Sequence, residues 1–266
     1  MAVRTVFTMA EDCARGERLG WSEFVRDYSP IARILLEQYF PVLKPEIDAH
    51  VTAAVERARV NNNGWFTTFR FANEREFLMS FRELVFAYGR EVARLPTPEI
   101  SLDQMRDIMK DLPVVERQML WLFVKGYDAN QIGRMVANQE GTAQAVRDLA
   151  GQRVAEILPS ASADAFNVSA RVLIEAAEKV KSEECLPLRT FNNLINGQLS
   201  WRERELAEQH IRDCFYCIDN FTAFQEMIRI RKDVQPLPER EVEAFLARLN
   251  LPPARSKGIF SRILSR

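Results

Sequence analysis

His210, Cys214 and Cys217 fall within one short stretch, HIRDCFYC, of a chain that holds only two histidines and four cysteines. Imidazole nitrogen and thiolate sulfur are the donors that zinc takes in tetrahedral sites. At i, i+4 and i+7, the three side chains share one face of a helix with 3.6 residues per turn. A continuous helix can present about two ligands to one ion, so the third must follow where the backbone turns, and a fourth must come from elsewhere. Cys185, in EECLPLRTF, lies 24 intervening residues upstream of His210 and completes the set Cys185, His210, Cys214 and Cys217. Cys13 stands far away near the N-terminus and is left out. Four protein ligands leave no position for water, so the expected site is structural rather than catalytic. Two other readings stay open. His210 can be a surface helix residue beside two cysteines buried as small hydrophobes. The pair can also be a redox C-x-x-C, although that motif ordinarily opens a helix after a strand, and no strand pattern precedes it.

The elements that must position these residues read as helices. Apolar residues recur at helical spacing along the chain and nowhere alternate at period two over any length, which predicts an all-α fold. Between Cys185 and His210, FNNLINGQLSWRERELAEQH is interrupted at Asn196-Gly197, and Ser200 with Glu203 reads as the capping box of its second part. Proline-containing breaks at LPTPEIS (95–101), LPSASADAFNVS (158–169) and VQPLPE (234–239) divide the chain. The resulting segments are 1–97, 98–160, 161–233 and 234–266.

In the first segment, WSEFVRDYSPIARILLEQYF is a helix that Pro30 breaks or bends. A second helix runs from about Pro45 to Val60 and ends at Asn61–Gly64, and a third starts at Asn73 with Glu76 completing a capping box. In the second segment, a helix with Pro113 in its first turn and an apolar stripe of Val115, Met119 and Leu122 ends at Lys125-Gly126. Asp128 and Gln131 cap the next helix. A turn at Asn138–Gly141 leads to a last helix buried through Val146, Leu149, Ala150, Val154 and Ile157. Short helix, turn, helix is the helix-turn-helix arrangement. In the last segment, Val242, Phe245, Leu246 and Leu249 give residues 238–250 one apolar side. The basic end ARSKGIFSRILSR reads as a solvated tail or a docking segment.

The charge balance, 36 Lys+Arg against 37 Asp+Glu, provides no global attraction to nucleic acid. Any such contact must be local. No apolar run approaches the ~20 residues of a membrane span, and the N-terminus does not read as a secretory signal. A cytoplasmic protein is expected, where thiols stay reduced and clustered cysteines favour metal. The chain has no Gly-rich phosphate loop, no Ser/His/Asp grouping and no telling pair of carboxylates, so an enzyme is not expected.

The first two segments together resemble the extracytoplasmic-function group of bacterial sigma factors. WSEFVRDYSPIARILLEQYF is similar to the opening of that family's helical region 2, and LPVVERQMLWLFVKGYDANQIGRMVANQEGTAQAVRDL to its helix-turn-helix region 4. The resemblance covers roughly residues 20–158. NGQLSWRERELAEQHIRDCFYC resembles the zinc-binding anti-sigma domain over about 182–225. The resemblance implies a sigma region 2 bundle, a region 4 helix-turn-helix and a small helical domain holding structural zinc. It also implies core RNA polymerase and promoter DNA as partners, with a cognate sigma or anti-sigma protein as a further one. Trp65, Phe69 and Arg70, in the loop where the family holds an unstacked promoter base, would contact DNA, as would Gln144, Arg147 and Arg153 on the last helix of the helix-turn-helix. The chain departs from the family in two places. DAHVTAAVERAR keeps the acidic residue, Asp48, but not the Gln that normally follows it. Residues 101–160 hold seven Lys+Arg against eight Asp+Glu, where the family is usually basic. A second expectation is therefore a sigma-like protein that does not initiate transcription and acts as an interaction or anti-sigma scaffold.

Overall fold

Asn73, Ser101, Asp128 and Ser200 each accept a hydrogen bond from the backbone N–H three residues on, which fixes the start of four helices. The computed structural model describes residues 4–68, 70–93, 100–136, 140–157 and 165–251, and every regular element among them is helical. In chain order these are α1 (Val6–Ala14), α2 (Arg18–Tyr39), a 3-10 stretch (Pro41–Glu46), α3 (Ile47–Glu56), a second 3-10 stretch (Arg57–Arg59), α4 (Val60–Thr68) and α5 (Glu74–Val92). They continue with α6 (Leu102–Met109), α7 (Val114–Val124), α8 (Ala129–Met135), α9 (Glu140–Ile157) and α10 (Ala165–Lys179). The last are α11 (Leu188–Ile195), α12 (Trp201–Asp213), α13 (Phe215–Asp233) and α14 (Glu239–Arg248). No described helix is long and apolar enough to cross a membrane.

Several expectations meet the structure with differences. α2 runs unbroken through Pro30. α10 starts at Ala165, inside the stretch read as a linker, while 158–164 lie outside the described residues. Phe69, most of the 95–101 linker, residues 137–139 of the turn before α9, and the basic tail from 252 onward also lie outside them. Val115 and Leu149 are exposed, at 39% and 36%, instead of buried. The buried face of α7 is wider than its apolar stripe implies, because α9, α10, α12 and α13 all pack on this helix and bury everything from Gln118 to Val124. α7 ends as its sequence suggests: Gly126 adopts φ +86°, and the Tyr127 N–H reaches back to the Leu122 carbonyl at 3.1 Å. α1 and α6 were not anticipated.

Buried apolar residues of all four segments join in one core. Its N-terminal part is aromatic. Phe24 meets Trp21, Phe66, Phe77 and Phe81 edge-on at centroid separations of 5.1–6.3 Å, a favoured geometry for the ring quadrupoles. The chain enters this cluster through Asn61, Asn62 and Asn63, three successive residues with left-handed φ of 56–61°. Asparagine is among the few side chains that tolerate that region. α1 crosses α2 very closely: a Cβ built on Gly20 would lie 2.5 Å from Asp12 Cβ and 2.7 Å from the Cys13 backbone nitrogen. Backbone cannot yield as a flexible side chain would. Gly20→Ala is therefore expected to lower stability by about 1–3 kcal/mol, the usual range for overpacking. A urea midpoint unchanged by the substitution would show that the two helices can separate freely.

Candidate metal centre and its surroundings

α12 carries His210 in its last turn and stops at Cys214, whose extended backbone (φ −113°, ψ 116°) turns the chain directly into α13. Cys217 lies in the first turn of α13. The single face inferred from i, i+4, i+7 spacing is thus realised across a corner between two helices. Cys185 is brought to the same corner by the turn that follows α10, closed by Cys185 N–H to the Ser182 carbonyl at 3.2 Å. The ligand atoms of Cys185, His210, Cys214 and Cys217 all lie within 4.8 Å of one another, so this Cys3His cluster could hold a metal ion. The sulfurs of Cys185 and Cys214 are 3.8 Å apart. Cys217 is fully buried and the other three half-buried.

Backbone amides already point at the sulfurs. Ser182 N–H donates to Cys185 Sγ at 3.2 Å, and Leu186 N–H to Cys217 Sγ at 3.3 Å. Such donors orient thiolates that bind metal. Hydrogen bonding from the Cys217 thiol, with help from Cys185 and His210, brings the Cys214 thiol down to about 5. Cys217 itself is pushed up, by its bond to Cys214 and by burial. His210 Nε2 is buried without a hydrogen-bond partner. A buried imidazole nitrogen without a partner is costly unless something coordinates it. Three sulfurs and one imidazole around a common centre are the donor set of a closed structural zinc site. Cys13, by contrast, is a fully buried residue of α1 and takes no part.

From this corner α13 runs past α2, α5, α7, α8 and α10. Its buried side carries Asp219, Thr222 and Glu226 among apolar residues. Asp219 accepts from Trp121 Nε1 at 2.9 Å and lies 3.0 Å from Lys125 Nζ. Lys125 also donates to Thr222 Oγ1 at 2.9 Å. Glu226 accepts from Tyr39 at 2.7 Å and from Tyr127, with Arg82 Nε 4.0 Å from its other oxygen. Arg82, Lys125, Asp219, Thr222 and Glu226 are each at most 2% exposed. Burial opposes the charge on Asp219, but Lys125 and Arg82 overcome it and hold the carboxyl below its usual range. Burial also lowers Lys125. One network therefore joins α13 to α2 and α5 on one side and to α7 and its C-terminal turn on the other. Sequence reading missed all of it, since single charged residues in amphipathic helices carry no mark of burial. The one available signal was Asp219, Thr222 and Glu226 recurring at i, i+3, i+7 on the side of α13 that also bears apolar residues.

The residues expected to touch nucleic acid are scattered over two regions. Trp65 is half-buried against Phe24, Phe66, Phe77 and Phe81. Arg70 is exposed beside Phe71, which stacks on Phe7 at 4.9 Å. Gln144 is exposed and donates to Asp148 at 2.8 Å. Arg147 lies over the Phe123 ring at 5.5 Å. Arg153 is half-buried and donates to the Ile108 carbonyl at 2.9 Å and to that of Lys110, which ties α9 to the end of α6. Asp48 pairs with Arg33.

No family model, curated protein or solved structure matches this chain.

Proposed function

We propose that the protein is a cytoplasmic sigma-factor-like regulator of transcription initiation. In this reading residues 1–97 and 98–160 bind core RNA polymerase and promoter DNA, and the zinc-binding segment 161–233 regulates them in cis. Cys185, His210, Cys214 and Cys217 hold the ion, which contributes architecture and no catalytic step. The observation that carries the reading is the path of α13. It begins at the cysteine corner and is buried between the two blocks that resemble the sigma regions, so the state of the metal site and the arrangement of both blocks are coupled. The promoter-facing residues would be Trp65, Phe69 and Arg70 together with Gln144, Arg147 and Arg153.

A specific observation favours a second reading. Arg147 and Arg153 are engaged within the protein, and duplex readers ordinarily show a local positive footprint. The protein would then be a sigma-like scaffold that binds polymerase, or a sigma or anti-sigma partner, without opening promoters.

Run-off transcription with core polymerase, with and without chelator, tests the first reading. The expected result is promoter-dependent product whose amount changes when the metal is removed. Retention of polymerase on the immobilised full chain with no product in either condition favours the scaffold. Neither retention nor product would sink both.

A further inference from the structure

α2 contains a proline with no N–H to donate, so the Arg26 carbonyl, one helical turn before Pro30, has no intrahelical partner. The preceding turn is altered as well, because Ser29 Oγ donates to the Val25 carbonyl at 2.6 Å. A carbonyl left in this way on a packed helix needs a donor. The donor comes from more than two hundred residues away: Leu237 N–H reaches Arg26 O at 2.9 Å. Leu237 belongs to the extended connection that leaves α13 and stands one residue before Pro238, the N-cap of α14. Pro236 and Pro238 have no N–H, so Leu237 offers the one amide donor of the Pro-Leu-Pro step.

From that anchor, α14 lies along α2, the principal helix it packs against. Val242, Phe245, Leu246 and Leu249 are buried there. Its far end is held by arginines. Arg59 donates to the Leu249 carbonyl, and Arg18 donates to the Leu251 carbonyl at 3.2 Å and pairs with Glu243. Cations at carbonyls that end a helix are favourable. The seat is not fully filled: a cavity of about 390 Å³ remains between α14 and α2–α3, bordered by Pro30, Arg33, Val51 and Phe245. The attachment is thus one backbone bond, one buried apolar stripe set mainly on a single helix, and part-buried contacts from Arg18 and Arg59. It differs from the buried polar network that holds α13 among several helices.

We infer that the chain from 234 to 251 is a detachable strap and that Pro30 creates its receptor. By withholding a donor, Pro30 turns α2 into a groove that recognises an extended N–H followed by an amphipathic helix. The strap occupies the groove in the closed protein and leaves as a unit. This inference stands on the contacts of α2 and α14 and does not require the transcription reading.

Hydrogen–deuterium exchange of the full chain tests it. In the unmodified protein, amides of 239–251 should exchange at least tenfold faster than those of α13, through an opening that leaves α13 closed. Equal protection of the two would show that the strap opens only on global unfolding and would overturn the inference. Pro30→Ala restores an N–H at residue 30 to compete for Arg26 O. It should raise protection along α2 and yet speed exchange of the strap at least tenfold more. Unchanged or slowed strap exchange in Pro30→Ala overturns the receptor role. Loss of α13 protection in this variant also overturns it, since Pro30 would then serve the core and not the strap. Leu237→Pro, which deletes the donor from the other side, should reproduce the faster strap exchange without the gain in α2.

Discussion

Cys214→Ser is expected to leave the purified protein with less than about half an equivalent of zinc, where the unmodified chain holds about one. Cys214 is the residue at which α12 ends and α13 begins, so its sulfur sets both the metal and the corner. Structural zinc contributes on the order of 10 kcal/mol to folding in small zinc domains. The site here is backed by a larger core, so the expected outcome is partial. Protection of α12 and the first turns of α13 should collapse, while the aromatic cluster around Phe24 persists. Chelator should give the same pattern in the unmodified protein. Metal content by elemental analysis and exchange by mass spectrometry are the measurements. Full zinc occupancy in Cys214→Ser would remove Cys214 from the ligand set. Absence of zinc from the unmodified protein would end the metal assignment, and His210 Nε2 would then need another explanation for its burial without a partner.

Asp219→Ala should be the most damaging substitution outside the metal site. It leaves the Lys125 ammonium, 3.0 Å away and 1% exposed, with Thr222 and a backbone carbonyl as hydrogen-bond acceptors and only the more remote charge of Glu226 to favour it among the described residues, and strips Trp121 Nε1 of its acceptor. Removing one member of a buried ion pair typically costs about 3–5 kcal/mol, because the remaining charge has no compensation. Urea denaturation should report a loss in that range. The double variant Lys125→Met, Asp219→Leu should recover most of it, since apolar replacement of both members is often neutral. A loss below about 1 kcal/mol in Asp219→Ala would mean that water enters the junction.

The pH dependence follows from the direction of the shifts. The folded-state value of Asp219 lies below the unfolded one. Its contribution is therefore fully present above roughly pH 4 and is lost as the pH falls through the folded value. Asp219→Asn should flatten that acid limb. Lys125 is also lowered when folded, so the unfolded chain binds its proton more tightly. Stability should accordingly rise with pH between the folded value and about 10.4. A titration of stability that falls through the alkaline window would contradict the direction assigned to Lys125.

Residue type and spacing alone were enough for the helical class, the capped starts at Asn73, Asp128 and Ser200, the stop at Gly126 and the grouping of Cys185 with His210, Cys214 and Cys217. These features are local, or depend on donor chemistry so uncommon in this chain that few combinations exist. Caps act over three residues, and a chain with two histidines and four cysteines offers little choice of ligands. What the tertiary structure decided is non-local. Nothing in VERQMLWLFVK marks Lys125 as buried. It becomes so because α13 carries Asp219 and Thr222 to it across almost a hundred positions. The exposure of Val115 depends on how many helices enclose α7, and no periodicity within α7 records that number. Pro30 shows the division most clearly. The sequence predicts a disrupted helix there, because proline lacks a donor. Tertiary structure supplies the donor from Leu237, so α2 stays continuous and the vacant carbonyl becomes a point of attachment. A backbone acceptor is filled by whichever N–H the fold brings near, and only the packed chain determines which one that is.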